Sequence, residues 1–122
     1  MSSPIATGWA TVDLDRAVGE RAGDLAPGVD FEPAPRSAAL GARCVRGAAA
    51  HSDGWIVLLE PDTEGRLTGF LARHGEGWAA TWHAGEPGAG ATAGPVGRES
   101  IEPGGPREGP FRLVVAPATI ER

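Results

Sequence analysis

Between Ile5 and Val12 the positions Ile5, Thr7, Trp9 and Thr11 alternate with Ala6, Gly8, Ala10 and Val12, a period of two that predicts a strand with Trp9 on one face. The period then lengthens. Leu14, Ala17, Val18, Ala22 and Leu25 recur at helical spacing, and Asp13 or Asp15 can accept from the free N–H groups at the start, so a short helix is expected over roughly 14–25. Gly19 and Gly23 weaken it, and Pro27 with Gly28 ends it. Residues 31–36 contain Pro33 and Pro35, which suit an edge strand or an extended loop because proline cannot donate to a ladder. Residues 38–49 permit either a strand or a short helix, and 42–47 is read as a strand.

Ser52, Asp53 and Gly54 have the composition of a turn, and Trp55 to Leu59 is the clearest strand of the chain, closed by Glu60 and Pro61. Asp62 or Thr63 can then cap a helix near 64–74 whose Leu67, Phe70 and Leu71 share a face and which stops at Gly75. Trp78 to His83 returns to a strand. Beyond Ala84, Gly and Pro are dense through Pro110, so no helix is expected there; one short strand near 96–101 between loops is one reading and a linker without structure the other. Phe111 to Ala116 reads as the final strand.

Composition narrows the chemistry. The 122 residues suffice for one domain, and no apolar run approaches the roughly 18 residues needed to span a bilayer. The first residues lack the basic and apolar regions of a signal peptide, so a cytoplasmic location is expected. There is no Lys, Tyr, Asn or Gln, which removes Schiff-base lysine chemistry, a phosphate-loop lysine and a tyrosine acid or base. A formal charge of −5 with dispersed arginines gives no basic stripe, so neither nucleic acid nor an anionic membrane is an expected partner. Cys44 is alone and cannot form an internal disulfide; Arg43 and Arg46 could lower its pKa, but a partly buried inert thiol is the simpler expectation.

The order strand, helix, strands ending in Val57-Leu58-Leu59-Glu60-Pro61, then Phe70-Leu71-Ala72-Arg73-His74-Gly75-Glu76-Gly77 and Trp78-Ala79-Ala80, resembles the vicinal oxygen chelate superfamily. Its members include glyoxalase I, methylmalonyl-CoA epimerase, extradiol dioxygenases and bleomycin-resistance proteins, and the local likeness is to the epimerase branch. The resemblance implies an α+β fold of paired βαβββ modules forming an open cup. Here one glyoxalase-like domain over 1–122 would hold module one at about 5–75 and an abbreviated module two at about 76–122, since 84–110 lacks the second module's helix.

In metal-dependent relatives a divalent ion is held from two strands of each module. The motifs place those positions near Thr7, Val57, Ala80 and Leu113, which is no normal ligand set, so the implied chemistry is metal-independent and no cofactor is expected. If those positions face the cup, residues two apart along each strand face it too. The expected ligand-binding set is then Thr7, Trp9, Thr11, Trp55, Val57, Leu59, Trp78, Ala80, Trp82, Phe111 and Leu113, with Val115 beyond it. Such a lining suits a small hydrophobic or aromatic molecule. The plainer alternative is that these tryptophans fill the core of a small domain.

Other groups carry weaker signals. His51, His74 and His83 match no ligand spacing; the first two suit a turn and a helix end, and His83 points away from the cup if Ala80 points in. Glu60, Glu76, Asp13 and Asp15 could do acid/base work, but capping explains all four. Arg112 alternates outward, and Thr7 or Thr11 could orient a ligand. Three functions follow as expectations: binding of a small hydrophobic molecule, a metal-free isomerase or cyclase, and a homodimeric interaction module without ligand, in which a second copy covers an exposed edge.

Overall fold

The computed structural model describes residues 4–48, 54–102 and 110–117. The turn expected at Ser52 and Asp53, together with His51 and the tail past Pro117, lies outside them. The first strand, β1 (Ala6–Ala10), leads into α1 (Leu14–Glu20) and α2 (Ala22–Leu25). Asp13 caps α1 by accepting from the Arg16 N–H at 3.1 Å, as the sequence pattern anticipates. The single helix expected over 14–25 is divided at Arg21.

Three strands follow, β2 (Glu32–Ser37), β3 (Ala42–Ala48) and β4 (Trp55–Pro61), the last running through Glu60 and Pro61 rather than ending before them. The helix α3 (Arg66–His74) starts two residues later than expected, at Arg66, and its N-cap Gly65 offers no side-chain cap. Asp62 is instead held by Arg36 in a fork of 2.6 and 2.9 Å, and the Thr63 carbonyl accepts from the Thr68 hydroxyl. Gly75 stops the helix with a φ of 73°, a conformation that glycine adopts without steric cost.

After β5 (Gly77–Ala84) the chain passes through 85–91 directly to β6 (Thr92–Gly94), then β7 (Gly97–Ile101) and β8 (Phe111–Pro117). No helix intervenes between β5 and β6, and the strand near 96–101 is present; β6 is an addition the sequence pattern did not suggest. All the described strands join one eight-stranded sheet in the order β2-β3-β4-β1-β5-β8-β7-β6. β1 lies parallel to β4 and antiparallel to β5, and β5 lies parallel to β8. The sheet curls until its end strands approach each other, so the architecture is the α+β curved cup, nearly closed.

The two faces of this sheet bury different sets of side chains. On the inner face Val57, Leu59, Ala80, Trp82, Phe111, Leu113 and Val115 pack with Leu67 and Phe70 of α3, which closes one end. On the outer face Leu14, Ala17 and Ala22 lie against Leu58, Trp9 and Val45. Each fully buried Trp, Phe or Leu contributes about 1.5–3 kcal/mol of transfer free energy, so the inner set dominates the stability of the fold. No helix among the described residues is long and apolar enough to cross a membrane.

Candidate functional site

Facing in a sheet follows from register, because paired residues of adjacent strands point to the same side. Gly8 pairs with both Val57 and Ala80, and Ala80 with Phe111, giving one inner row; a second runs Trp55, Ala6, Trp82, Leu113, Ile101. Of the expected cup residues, the structure therefore brings together Trp55, Val57, Leu59, Ala80, Trp82, Phe111 and Leu113, with Val115 beside them.

Thr7, Trp9, Thr11 and Trp78 do not join them, and this corrects the expected facing. Thr7 pairs with Ile56 and Thr81, one residue out of step with Gly8, so it belongs to the outer face. The ladder between β1 and β5 shifts register at Gly8/Trp9, leaving Ala79 without a partner as a bulge residue. Counting by two from Ala80 puts Trp78 inside; the bulge puts it opposite Trp9 on the outside. The two indoles meet edge to face at 5.3 Å, and Trp78 is 45% exposed. Thr11 is buried past the end of β1, where its hydroxyl donates to Glu76 Oε2 at 2.6 Å.

The inner face is filled rather than hollow around its middle. Val57, Leu59, Trp82 and Leu113 are 0% exposed. A Cβ added to Gly8 would lie 2.8 Å from both Leu59 Cδ1 and Trp82 Cζ3, so the indole sits directly over that glycine. A divalent ion does not fit here: the row Val57, Gly8, Ala80, Phe111 offers no donor side chain, and the space above it is occupied. Among the described residues no group of three or more His, Cys, Asp or Glu side chains could hold a metal ion.

Trp55 stands at the rim of the inner face, in the first pair of the β1–β4 ladder. It is half-buried, and the Arg46 guanidinium lies 4.9 Å from its ring centroid. Arg46 also donates to the Pro95 carbonyl at 2.5 Å and reaches Glu32 at 3.5 Å, which fixes the guanidinium over the indole.

One polar group of the interior was not singled out from the sequence. Glu99 on β7 is wholly buried, accepting from Trp82 Nε1 at 2.8 Å and from the Ser37 hydroxyl at 2.5 Å. Burial pushes its carboxyl above the usual range, against the opposing effect of the two hydrogen bonds. The available signal was alternation: Glu99 stands two residues from Ile101 on the same inner face, a lone charge on an apolar side.

The remaining candidates have local structural roles. Glu60 caps α1 through Leu14 N at 2.7 Å and pairs with Arg43 at 3.1 Å; Glu76 accepts from Thr11, from Val12 N and from Arg16. His74 packs against Phe70 at 4.8 Å. His83 lies on the outer face but is buried, with Nε2 3.0 Å from Thr81 Oγ1; burial and the nearby Arg112 hold its pKa down. Arg112 pairs with Glu102. Cys44 is buried, and burial pushes its thiol up to about 12, so the neighbouring arginines do not activate it.

No family model matches the sequence. No curated protein matches it by sequence either. Its shape does match solved structures. A methylmalonyl-CoA epimerase from Mycobacterium tuberculosis superposes with a TM-score of 0.74 at 20% identity, over 98% of this chain and 93% of that one. A Streptomyces coelicolor methylmalonyl-CoA epimerase in complex with 2-nitronate-propionyl-CoA gives 0.75 at 17% identity, over 100% and 99%. A hypothetical protein from Bacillus halodurans gives 0.68 at 14%, over 99% of each chain. The curled sheet, the position of β1 between β4 and β5, and these superpositions together identify the fold as that of the vicinal oxygen chelate superfamily, in the form seen in methylmalonyl-CoA epimerases.

Proposed function

We propose that the protein binds a small hydrophobic or aromatic molecule at the Trp55 rim of the cup, without a metal ion. The observation that carries this reading is the half-buried Trp55 on the inner face with the Arg46 guanidinium fixed over its ring. An indole beneath a held cation offers stacking area and a charge for an aromatic ligand bearing an anionic or electron-rich edge. The epimerase from Streptomyces coelicolor is in complex with 2-nitronate-propionyl-CoA in this fold. In the present chain Trp82 and Phe111 take up the inner floor, which favours a ligand seated at the rim. Metal independence is supported by the donor-free row beside Gly8. The lone buried Cys44 agrees with a reducing, cytoplasmic setting.

The test is a titration of intrinsic fluorescence with naphthalene-2-carboxylate, naphthalene and a broader aromatic library, in wild type and in Trp55→Phe and Trp78→Phe variants. Saturable quenching that Trp55→Phe abolishes and Trp78→Phe retains is expected. No saturable quenching by any compound would overturn the proposal.

A second reading, an interaction module that pairs with another copy, is supported by the outer face. Among the described residues no helix follows β5 to cover it, and Trp78 stands exposed beside Trp9. Light scattering at high concentration distinguishes monomer from dimer.

A further inference from the structure

The end strands of the sheet, β2 and β6, approach each other without joining in a ladder, and the described side-chain bonds between these two regions are few. One runs from the Arg46 guanidinium on β3 to the Pro95 carbonyl just past β6. The other is internal: Ser37, the last residue of β2, bonds Glu99 on β7, 62 positions further along the chain. Glu99 is also gripped by the indole N–H of Trp82 on β5, and Ser37 Oγ accepts from Leu40 N at 3.2 Å. The place for this carboxyl is built into β6 as well, since a Cβ at Gly94 would collide with it.

We propose that Glu99 is a proton-operated latch on the seam between β2 and β6, closed when its carboxyl is protonated and loosened when the carboxyl ionises. In the protonated form one oxygen accepts from Trp82 Nε1 while the other donates its O–H to Ser37 Oγ, and no net charge is buried. Ionisation leaves a carboxylate in an apolar interior with two neutral donors and no cation. The described groups facing it are Ser37 from β2, Gly94 and Thr92 from β6, Trp82 from β5, Val115 from β8 and the Cys44 thiol from β3, whose negative form would only add repulsion. The carboxyl's bonding partners, Ser37 and Trp82, are both neutral. A buried charge of this kind is relieved by water, and the seam is the nearest boundary because no ladder joins its two sides; once it parts, β2 and β6 become free edges that fray from β3 and β7.

The sign follows from the direction of the shift. The folded carboxyl binds its proton more tightly than the unfolded one, so its contribution is full at low pH and is lost as pH rises from the ordinary carboxylate value through the raised one. The inference does not depend on whether the rim takes a ligand.

Hydrogen exchange read by mass spectrometry tests it, with amide protection of β2 and β6 compared with β4 between pH 5 and pH 8 after correction for intrinsic rates. Protection of β2 and β6 in the wild type is expected to fall by up to about tenfold for each pH unit between the ordinary carboxylate value and the raised folded one, and to level off above the latter, while β4 holds. Glu99→Gln mimics the protonated form, its carbonyl accepting from Trp82 and its amide donating to Ser37, and is expected to stay protected across the range. Ser37→Ala is expected to show the low protection at pH 5 already, and keeps the test open if Glu99→Gln does not fold. Wild-type protection independent of pH, the same pH dependence in Glu99→Gln, or wild-type protection at pH 5 in Ser37→Ala would each overturn the latch.

Discussion

The backbone N–H of Leu14 donates to Glu60 Oε1 at 2.7 Å, so a carboxylate near the end of β4 caps a helix that begins 46 residues earlier. Burial acts to raise the Glu60 carboxyl, but the bonds from Arg43 and Leu14 outweigh it, and the pKa lies below its ordinary value. Its stabilising contribution is thus present above the unfolded carboxyl pKa and disappears as pH falls through the folded one. Glu60→Ala should cost about 1 kcal/mol in urea denaturation at pH 7. The gap to wild type should narrow when the same measurement is made in acid, where both proteins have lost the ionised cap.

Gly8 is predicted to tolerate no side chain. Its added methyl would meet Leu59 and Trp82, neither of which has room to retreat inside a packed core. Gly8→Ala should lower stability by about 1–3 kcal/mol, whereas Gly19→Ala, where the added Cβ meets nothing within 4 Å, should be neutral or stabilising. Paired thermal melts would decide it; equal melting temperatures for the two variants would refute the packing argument.

Cys44 should be silent toward thiol reagents in the native protein. Only the thiolate reacts, and a thiol pushed up to about 12 is almost wholly protonated at pH 8. Disulfide-exchange reagent added to folded protein should label slowly, with the rate jumping on denaturation.

Trp78 and Trp9 form an outer-face pair, and an edge-to-face contact of this kind is worth about 0.5–1.5 kcal/mol beyond area burial. Trp78→Ala should therefore destabilise modestly and leave quenching at the Trp55 rim intact. If a dimer forms through this face, Trp78→Arg should yield a monomer in light scattering, and an unchanged mass would remove this face from the interface.

Chelation should leave the protein unaltered. The row beside Gly8 lacks donors, so extensive dialysis against EDTA should change neither the melting temperature nor the aromatic titration. A fall in melting temperature restored by zinc or cobalt would refute metal independence.

The elements were largely legible in the sequence because their signals are local. The Asp13 cap, the apolar run of β4 and the Gly75 stop each act within a few residues, and each stands where the pattern places it. Facing was less legible. Thr7 and Trp9 follow the alternation of their own strand, but which side of the sheet it serves is set by pairing with β4, and at Trp78 the alternation is broken by the bulge at Ala79; neither has a local signature. Glu99 was hidden for a related reason. Its partners lie 17 and 62 positions away, in a stretch whose glycines and prolines obscure strand periodicity.

The place of β1 in the middle of the sheet also constrains when the protein can fold. Its two ladder partners are residues 55–59 of β4 and 77–82 of β5, so β1 has no ladder partner until synthesis has gone roughly fifty residues beyond it. Closing those long intervals is entropically slow, and the hydrophobic half of β1 is exposed meanwhile. Nascent chains arrested before Trp55 should consequently behave as unpaired, chaperone-dependent polypeptides, with cooperative structure arriving only once β5 is complete.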